Sequence, residues 1–265
     1  MRKVALNFGI KNFDPNYYGE GNDLRGCEND ILYMEKVAKQ KGFECNTFLS
    51  KKATYKTYVE YLTKFANELV AGDIFLFSVS CHGTYEDYDE GGQQKRRTAL
   101  CLYDRIVWDY ETKNLLKRFK RGVTVVWIAD CCHSRDNFKS LTMRKGGVVK
   151  SLNFSDIVGV KTKDMELPEQ FEEKSDLDCT VIAFSSSTEY QVSFDLQSFV
   201  DKRPMGLFMA SVEKIFLTPS NSKLTYYQMY RAIAKQVATA GYPQSPKMQV
   251  INGHKEKATY REFLT

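Results

Sequence analysis

The sequence predicts an α/β sandwich built on a mostly parallel sheet. Apolar segments alternate with amphipathic helical stretches along most of the 265 residues. Two of those segments, Ile74–Ser80 and Val123–Ala129, are apolar on both faces, as strands buried in a parallel sheet are. Each of the two runs directly into reactive side chains, Cys81-His82 and Asp130-Cys131-Cys132-His133. In open α/β sheets the ligand site lies outside the carboxyl ends of the central strands.

The elements follow in order. Lys3 to Phe8 is a strand. Glu28 to Lys41 is a helix, with Ile31, Met34, Val37 and Ala38 near helical spacing and Gly42 as its stop. Phe43 to Leu49 is a second strand. Thr54 to Val70 is a helix carrying Tyr58, Tyr61, Leu62, Phe65 and Leu69 on one face. Ala71-Gly72-Asp73 turns into Ile74–Ser80. An acidic, Gly-containing loop is expected from Tyr85 to Gln94, then a short strand from Thr98 to Leu102 and a helix from Asp109 to Phe119. After Val123–Ala129 a long polar stretch runs from Ser134 to Asp178 and includes the charged tract Lys161 to Lys174. Thr180–Phe184 is a further strand, Gly206–Phe216 and Tyr226–Val237 are helices, and Met248-Gln249-Val250 is a last edge strand.

Composition narrows the function. With 43% hydrophobic and 27% charged residues the chain can bury a substantial core. No apolar run reaches the roughly 18 residues that span a bilayer, and the start is too briefly apolar for a signal peptide. We therefore expect a cytoplasmic protein without membrane contact. Seven cysteines, without paired CxxC spacing, read as free thiols rather than a disulfide or zinc framework. The net charge of +5 is mild, and the basic clusters at Lys95–Arg97, Lys117–Arg121 and Met143–Lys145 lack the stripe of a nucleic-acid binder. Gly9-Ile10-Lys11-Asn12 after the first strand supplies no phosphate loop.

What remains is a thiol and an imidazole. A thiol becomes a strong nucleophile when a neighbouring imidazole takes its proton. Cys132 and His82 follow two strands that can lie side by side, so one rim of the sheet can hold both. Gly83 lets the chain turn sharply; its amide and that of Cys132 can form an oxyanion hole. Taken alone, His82 also reads as a satisfied histidine at a strand end.

Three segments resemble those of the metacaspases and related bacterial caspase-like (orthocaspase) peptidases. Ser80-Cys81-His82-Gly83 is similar to their Ser-Gly-His-Gly, Asp130-Cys131-Cys132-His133-Ser134 to their Asp-Ser-Cys-His-Ser, and Leu24-Arg25-Gly26-Cys27-Glu28-Asn29-Asp30 to their Leu-x-Gly-Cys-x-Asn-Asp. The fifty residues between His82 and Cys132 fit the spacing of caspase-like chains. The resemblance implies a caspase-like three-layer sandwich, with a six-stranded, mostly parallel sheet flanked by helices. It implies one domain over 1–265: a large-subunit-like part over 1–133, a loop region over 134–178 with a possible processing site, and a small-subunit-like part over 179–265.

The same resemblance assigns the nucleophile to Cys132 and the preceding serine position to Cys131. Neighbours leaving a strand point in opposite directions, so only one of the two faces His82. The acids matching Asp30 and Asp130 line the pocket for the residue before the scissile bond, with Cys27 and Ser80 beside them. A pocket lined by carboxylates demands a cation, so cleavage after Arg or Lys is expected. Asp30 also fits an ordinary helix N-terminal acid. The same specificity would allow self-cleavage after Arg144, Lys145 or Lys150, and the stretch fits an uncut surface loop equally well. Calcium activates several metacaspases, but Tyr110 stands where a second acid would follow Asp109. We expect calcium independence, with Glu86–Glu90 a flexible acidic loop, no metal site and no required cofactor. The resemblance points to a monomer acting on protein or peptide substrates; a regulatory partner is open. Two other readings fit the same residues: a cysteine acyltransferase or transpeptidase, and a catalytically inactive binding or scaffold module.

Overall fold

The computed structural model describes residues 1–131, 148–157, 159, 177–188, 191, 193–252 and 260–265. Cys132, His133, Arg144, Lys145 and the 161–174 tract lie outside them.

Strands β1 (Lys3–Gly9), β2 (Glu44–Leu49), β3 (Ile74–Ser80), β7 (Thr124–Asp130), β9 (Thr180–Ser185) and β12 (Lys247–Ile251) form one sheet in the order β12-β9-β7-β3-β1-β2. All neighbours are parallel except the edge pair of β12 with β9. The six-stranded, mostly parallel sheet is present as predicted.

Alternation along each strand divides the core into two layers. Val4, Leu6, Phe8, Phe75, Phe77 and Val125 face one layer. It is closed by helix α3 (Tyr55–Glu68) through Tyr58, Leu62 and Phe65 and by α4 (Asp109–Leu116) through Leu115 and Leu116. Ala5, Leu76, Val126, Ile128, Ile182 and Phe184 face the other. There α2 (Cys27–Gln40), α5 (Leu207–Phe216) and α6 (Tyr226–Thr239) pack through Met34, Phe208 and Met229. A short helical turn, α1 (Pro15–Tyr18), is capped by Asp14. Thr54 caps α3 through the amide of Thr57, as the sequence position suggests.

Two expectations change. The acidic loop from Tyr85 to Gln94 is instead a hairpin. Strand β4 (Gly83–Glu90) pairs antiparallel with β5 (Gln93–Cys101), which continues to β6 (Ile106–Trp108). Gly91 and Gly92 turn it with φ of 62° and 83°, the left-handed pair that a two-residue hairpin turn requires. Its acids do not form a flexible loop. Glu86 pairs with Arg97, Asp87 with Arg96 at 2.6 Å, and Glu90 with Lys95. Arg97 also stacks on Trp108 at 4.2 Å.

The second change is a small antiparallel sheet that sequence periodicity missed. Strand β10 (Phe194–Gln197) lies between β11 (Pro204–Gly206) and β8 (Val148–Val149). Strands of two to four residues are too short to show a period. Among the described residues no helix is long and apolar enough to cross a membrane.

Candidate functional site

The sheet register brings the two reactive segments together. Strands β3 and β7 are neighbours, and Ser80 lies opposite Asp130. His82 and Cys132 each follow two residues later. Cys132 itself lies outside the described residues.

His82 is buried, with 4% of its surface exposed. Its ring packs on Phe13 at 5.1 Å, and Nε2 lies 2.8 Å from the Asn22 carbonyl. A carbonyl only accepts, so Nε2 carries the hydrogen and Nδ1 is the free base. Nδ1 has no hydrogen-bond partner among the described residues. Burial pushes the imidazole down to about 4, against the opposing pull of the Asn22 and Lys150 carbonyls. The ring is therefore neutral at physiological pH, with Nδ1 carrying a lone pair.

Two residues below the histidine, the strand ends open into an acidic pocket. Asp30, in the first turn of α2, is fully buried. Its Oδ1 accepts from the Gly206 amide at 2.8 Å, and its Oδ2 accepts from the Ser80 hydroxyl at 2.7 Å. Asp130, at the end of β7, is 1% exposed. Burial and the neighbouring Asp30 push its carboxyl up to about 6, against the pull of Lys150. Cys27 completes the wall; burial pushes its thiol well up, so it is a neutral group.

Lys150 fills this pocket. Its side chain is fully buried, and Nζ donates to Asp30 Oδ2 at 2.7 Å, Ser80 Oγ at 2.9 Å and Asp130 Oδ2 at 3.0 Å. An ammonium has three donors, and all three are used. Burial works against the charge, but Asp130 and Asp30 outweigh it and hold the lysine protonated.

The backbone around Lys150 is extended across the rim. Its amide donates to the Ser193 carbonyl at 3.0 Å, and its carbonyl accepts from the Gly83 amide at 3.0 Å. Leu152 N–H returns to the Gly83 carbonyl at 3.0 Å. Val149 and Val148 pair antiparallel with Phe194 and Asp195. The segment 148–152 thus has two strand neighbours, β10 and the start of β4. Its lysine carbonyl lies on the Gly83 amide, and its lysine side chain lies in the acidic pocket.

The structure therefore brings Asp30, Asp130, Ser80, Cys27, Gly83, His82 and Lys150 to one place. It describes neither Arg144 nor Lys145, nor the amide of Cys132. Cys131 is buried; its carbonyl accepts from the Ser186 hydroxyl at 3.1 Å. Cys81 is also fully buried.

Four contributors escaped sequence reasoning. Asp195 accepts from the Arg25 and Gly26 amides through Oδ2, at 2.7 and 3.0 Å, and its buried Oδ1 has no partner among the described residues. The Ser193 and Asn22 carbonyls act through the backbone, which no side-chain motif reveals. Gly206 lies so close that a Cβ there would collide with Asp130 Oδ2 and Lys150 Nζ. That last position had a signal, a glycine opening an apolar helix, but its partner lies 76 residues away in sequence.

Known proteins share this architecture. Protein GSU0716 from Geobacter sulfurreducens superposes with a TM-score of 0.80 over 98% of both chains at 23% identity. Caspase-1 from Spodoptera frugiperda does so with a TM-score of 0.54 at 13% identity, over 94% of this chain and 86% of that one. In sequence, the chain is 28% identical to Metacaspase-2 of Trypanosoma brucei brucei over 146 residues, 49% of this chain and 41% of that protein. It is 29% identical to Metacaspase-8 of Arabidopsis thaliana over 148 residues, 51% of this chain and 37% of that protein. The chain thus spans less than half the length of these curated relatives. The sequence pattern of the caspase domain matches residues 2–256, nearly the whole chain, and the protein belongs to the caspase domain family.

Proposed function

We propose that the chain is a cysteine endopeptidase that cleaves after Lys or Arg and that processes itself at the Lys150–Ser151 bond. One observation carries this reading: Lys150 sits between Asp30 and Asp130 with its carbonyl on the Gly83 amide. A substrate strand needs the same four things, namely a cationic side chain, a carboxylate pocket, a backbone ladder and an amide for the carbonyl oxygen.

Cys132 is the nucleophile and His82 the base. His82 Nδ1 takes the thiol proton as sulfur attacks the carbonyl carbon of Lys150 or of a substrate Lys or Arg. The carbonyl oxygen becomes an oxyanion, stabilised by the amides of Gly83 and Cys132. His82 then gives the proton to the departing nitrogen, that of Ser151 in self-cleavage, and a thioester remains. Water, activated by the same imidazole, releases the acid and restores the thiol. The Asn22 carbonyl orients the ring, so no third side chain is needed. Asp30 and Asp130 bind the cation, with Ser80 and Cys27 as neighbours.

Until the bond is cut, Lys150 occupies the pocket that other substrates require. Self-cleavage falls inside the 134–178 segment and turns this occupant into a product that can leave. No metal or cofactor enters the scheme. We read calcium as not required, because Glu86, Asp87 and Glu90 already have cationic partners.

Mass spectrometry of the purified chain tests this. Fragments ending at Lys150 are expected, and they should be missing from Cys132→Ala. Peptides ending in Lys or Arg should be hydrolysed, and peptides ending in Asp should not. Cleavage persisting in Cys132→Ala, or a preference for Asp, overturns the reading. Transfer of the acyl group to an added amine in preference to water would make the chain a transpeptidase instead.

A further inference from the structure

We propose that the self-cleaved chain also joins peptides: the new amino terminus at Ser151 stays on the rim after the cut and, in competition with water, takes the acyl group of Lys- or Arg-ended substrates to form an amide. The inference rests on the reading of self-cleavage at Lys150–Ser151 given above.

The two sides of that bond are held differently. Before it, Val148 and Val149 pair with β10, and the Lys150 side chain sits in the acidic pocket. After it, the chain is built into the body of the protein. The Leu152 N–H donates to the Gly83 carbonyl at 3.0 Å. The Phe154 ring packs on Trp108 with 5.4 Å between centroids, and both Leu152 and Phe154 rest against the core layer that holds Trp108. Ile157 is buried in that same layer. The Gly159 amide donates to the Tyr17 carbonyl at 2.7 Å, and a Cβ on Gly159 would lie 2.8 Å from Tyr17 Cα, so the chain lies tight against α1. None of these contacts involves Lys150, and none crosses the bond to be cut. Cleavage therefore leaves 151–157 in place. The two pieces stay one body, because β9 pairs with β7 in the main sheet.

An amine held in this way is a standing rival to water. In the uncut chain the Ser151 nitrogen is bonded to the Lys150 carbonyl carbon, so its segment keeps it beside the place where that carbon sits in the acyl-enzyme. Well-oriented reactants reach effective molarities of roughly 10⁵ M or more, far above the concentration of water itself. The steps balance without an oxidant or reductant. The thiolate attacks the carbonyl of a bound Lys or Arg ester or amide, and His82 protonates the departing alcohol or amine. The Ser151 nitrogen then attacks the thioester carbon. The C–S bond breaks, a C–N bond forms, and His82 carries the proton from nitrogen to sulfur.

The acyl donor decides the outcome. With Lys150 as donor, the step restores the cut bond, so self-cleavage is reversible until 148–150 leaves the pocket. With a substrate as donor, it extends the piece that begins at Ser151 by the substrate's acyl part. The held segment covers the path of residues that follow the cleaved bond, so donors with small leaving groups are taken best.

The full chain, left to cleave itself and then mixed with acetyl-Val-Val-Lys methyl ester, tests this by mass spectrometry. The fragment that begins at Ser151 should gain the mass of the acetyl-Val-Val-Lys acyl group, and fragmentation should place it on the Ser151 nitrogen. Phe154→Ala, which frees the segment from Trp108, should lower the ratio of joined to hydrolysed product about tenfold while the ester is still consumed. Release of all the acyl group as free acid, its attachment to other amines in place of Ser151, or a ratio unchanged in Phe154→Ala overturns the inference, and continued consumption of the ester keeps the peptidase reading. A chain that consumes the ester but leaves its own Lys150–Ser151 bond uncut has no amino terminus at Ser151, and the inference falls with self-cleavage alone. If the ester is consumed no faster than by Cys132→Ala, the peptidase reading falls and the joining activity falls with it.

Discussion

The β4–β5 hairpin and the Lys150 pocket use the same residue types to opposite ends. On the hairpin, Arg96 meets Asp87 at 2.6 Å with their side chains 25% and 42% exposed. In the pocket, Lys150 meets Asp30 at 2.7 Å with both side chains fully buried. The distances match and the surroundings differ. Water solvates the first pair whether or not it forms, so the pair contributes at most about 1 kcal/mol. Burying the second set costs several kcal/mol for each ion, which close pairing only offsets. A protein has little to gain in stability from such a cluster. The comparison teaches that the buried charges fit a binding function, and that the hairpin charges fit a cross-strand ladder.

Removing one partner on each side is the largest test of that contrast. Lys150→Met, made in a Cys132→Ala background so that the chain stays intact, leaves Asp30 and Asp130 uncompensated. It should lower unfolding free energy by about 3–5 kcal/mol in urea melts. Lys150→Arg should recover most of the loss. Equal stability of the Met variant would mean that the pocket already holds its carboxyls neutral.

Removing a carboxylate should act on substrates. Asp130→Asn should cost about 2–4 kcal/mol of binding to a lysine side chain, a fall of roughly 30- to 1,000-fold in kcat/KM for Lys peptides. The readout is the loss of kcat/KM on Lys peptides in a variant whose urea midpoint shows that it is folded, which separates the loss from a folding defect.

The imidazole gives a pH test of intermediate size. His82 is held near 4 in the folded chain against 6.5 in its unperturbed state. Between these values the unfolded chain binds more protons, so stability falls as pH drops from about 6.5 to about 4, by roughly 3 kcal/mol in full. Asp130, pushed up to about 6, works in the opposite sense. The contribution of His82 is therefore the difference in slope between wild type and His82→Asn. Identical slopes would show that the ring is solvated.

The smallest effect belongs to the hairpin. Arg96→Ala should shift stability by under about 1 kcal/mol, and added salt should erase most of the shift. A loss as large as that of Lys150→Met would erase the contrast drawn above.

How much was legible depended on range. The seven residues of β3 are all buried, and the apolar residues on both of its faces said so in advance. Of the hairpin from Gly83 to Cys101 only the end of β5, read as a strand from Thr98 to Leu102, was legible, because the rest is charged on both faces. Only Gly91-Gly92 signalled the turn. Strands β10 and β11 were missed because their pairing, not their composition, defines them. In the pocket, Asp30 and Asp130 were found through the motifs around them. Asp195 had no motif and entered through a register set 47 residues away by Val148. Lys150 was a candidate cleavage site from charge alone, without any hint that it reached Asp30.

The sequence alone determined the sheet, its two apolar layers, and the reactive residues placed just beyond β3 and β7. Those features follow from local periodicity and from a few short segments, which any chain displays in one dimension. Tertiary structure decided that Lys150 enters the pocket, that the Asn22 carbonyl fixes the His82 tautomer, and that β10 carries a neighbouring strand. These depend on contacts between residues 20 to 120 positions apart. Side-chain chemistry limits what such a contact can be, but only the folded backbone brings the partners within hydrogen-bonding distance.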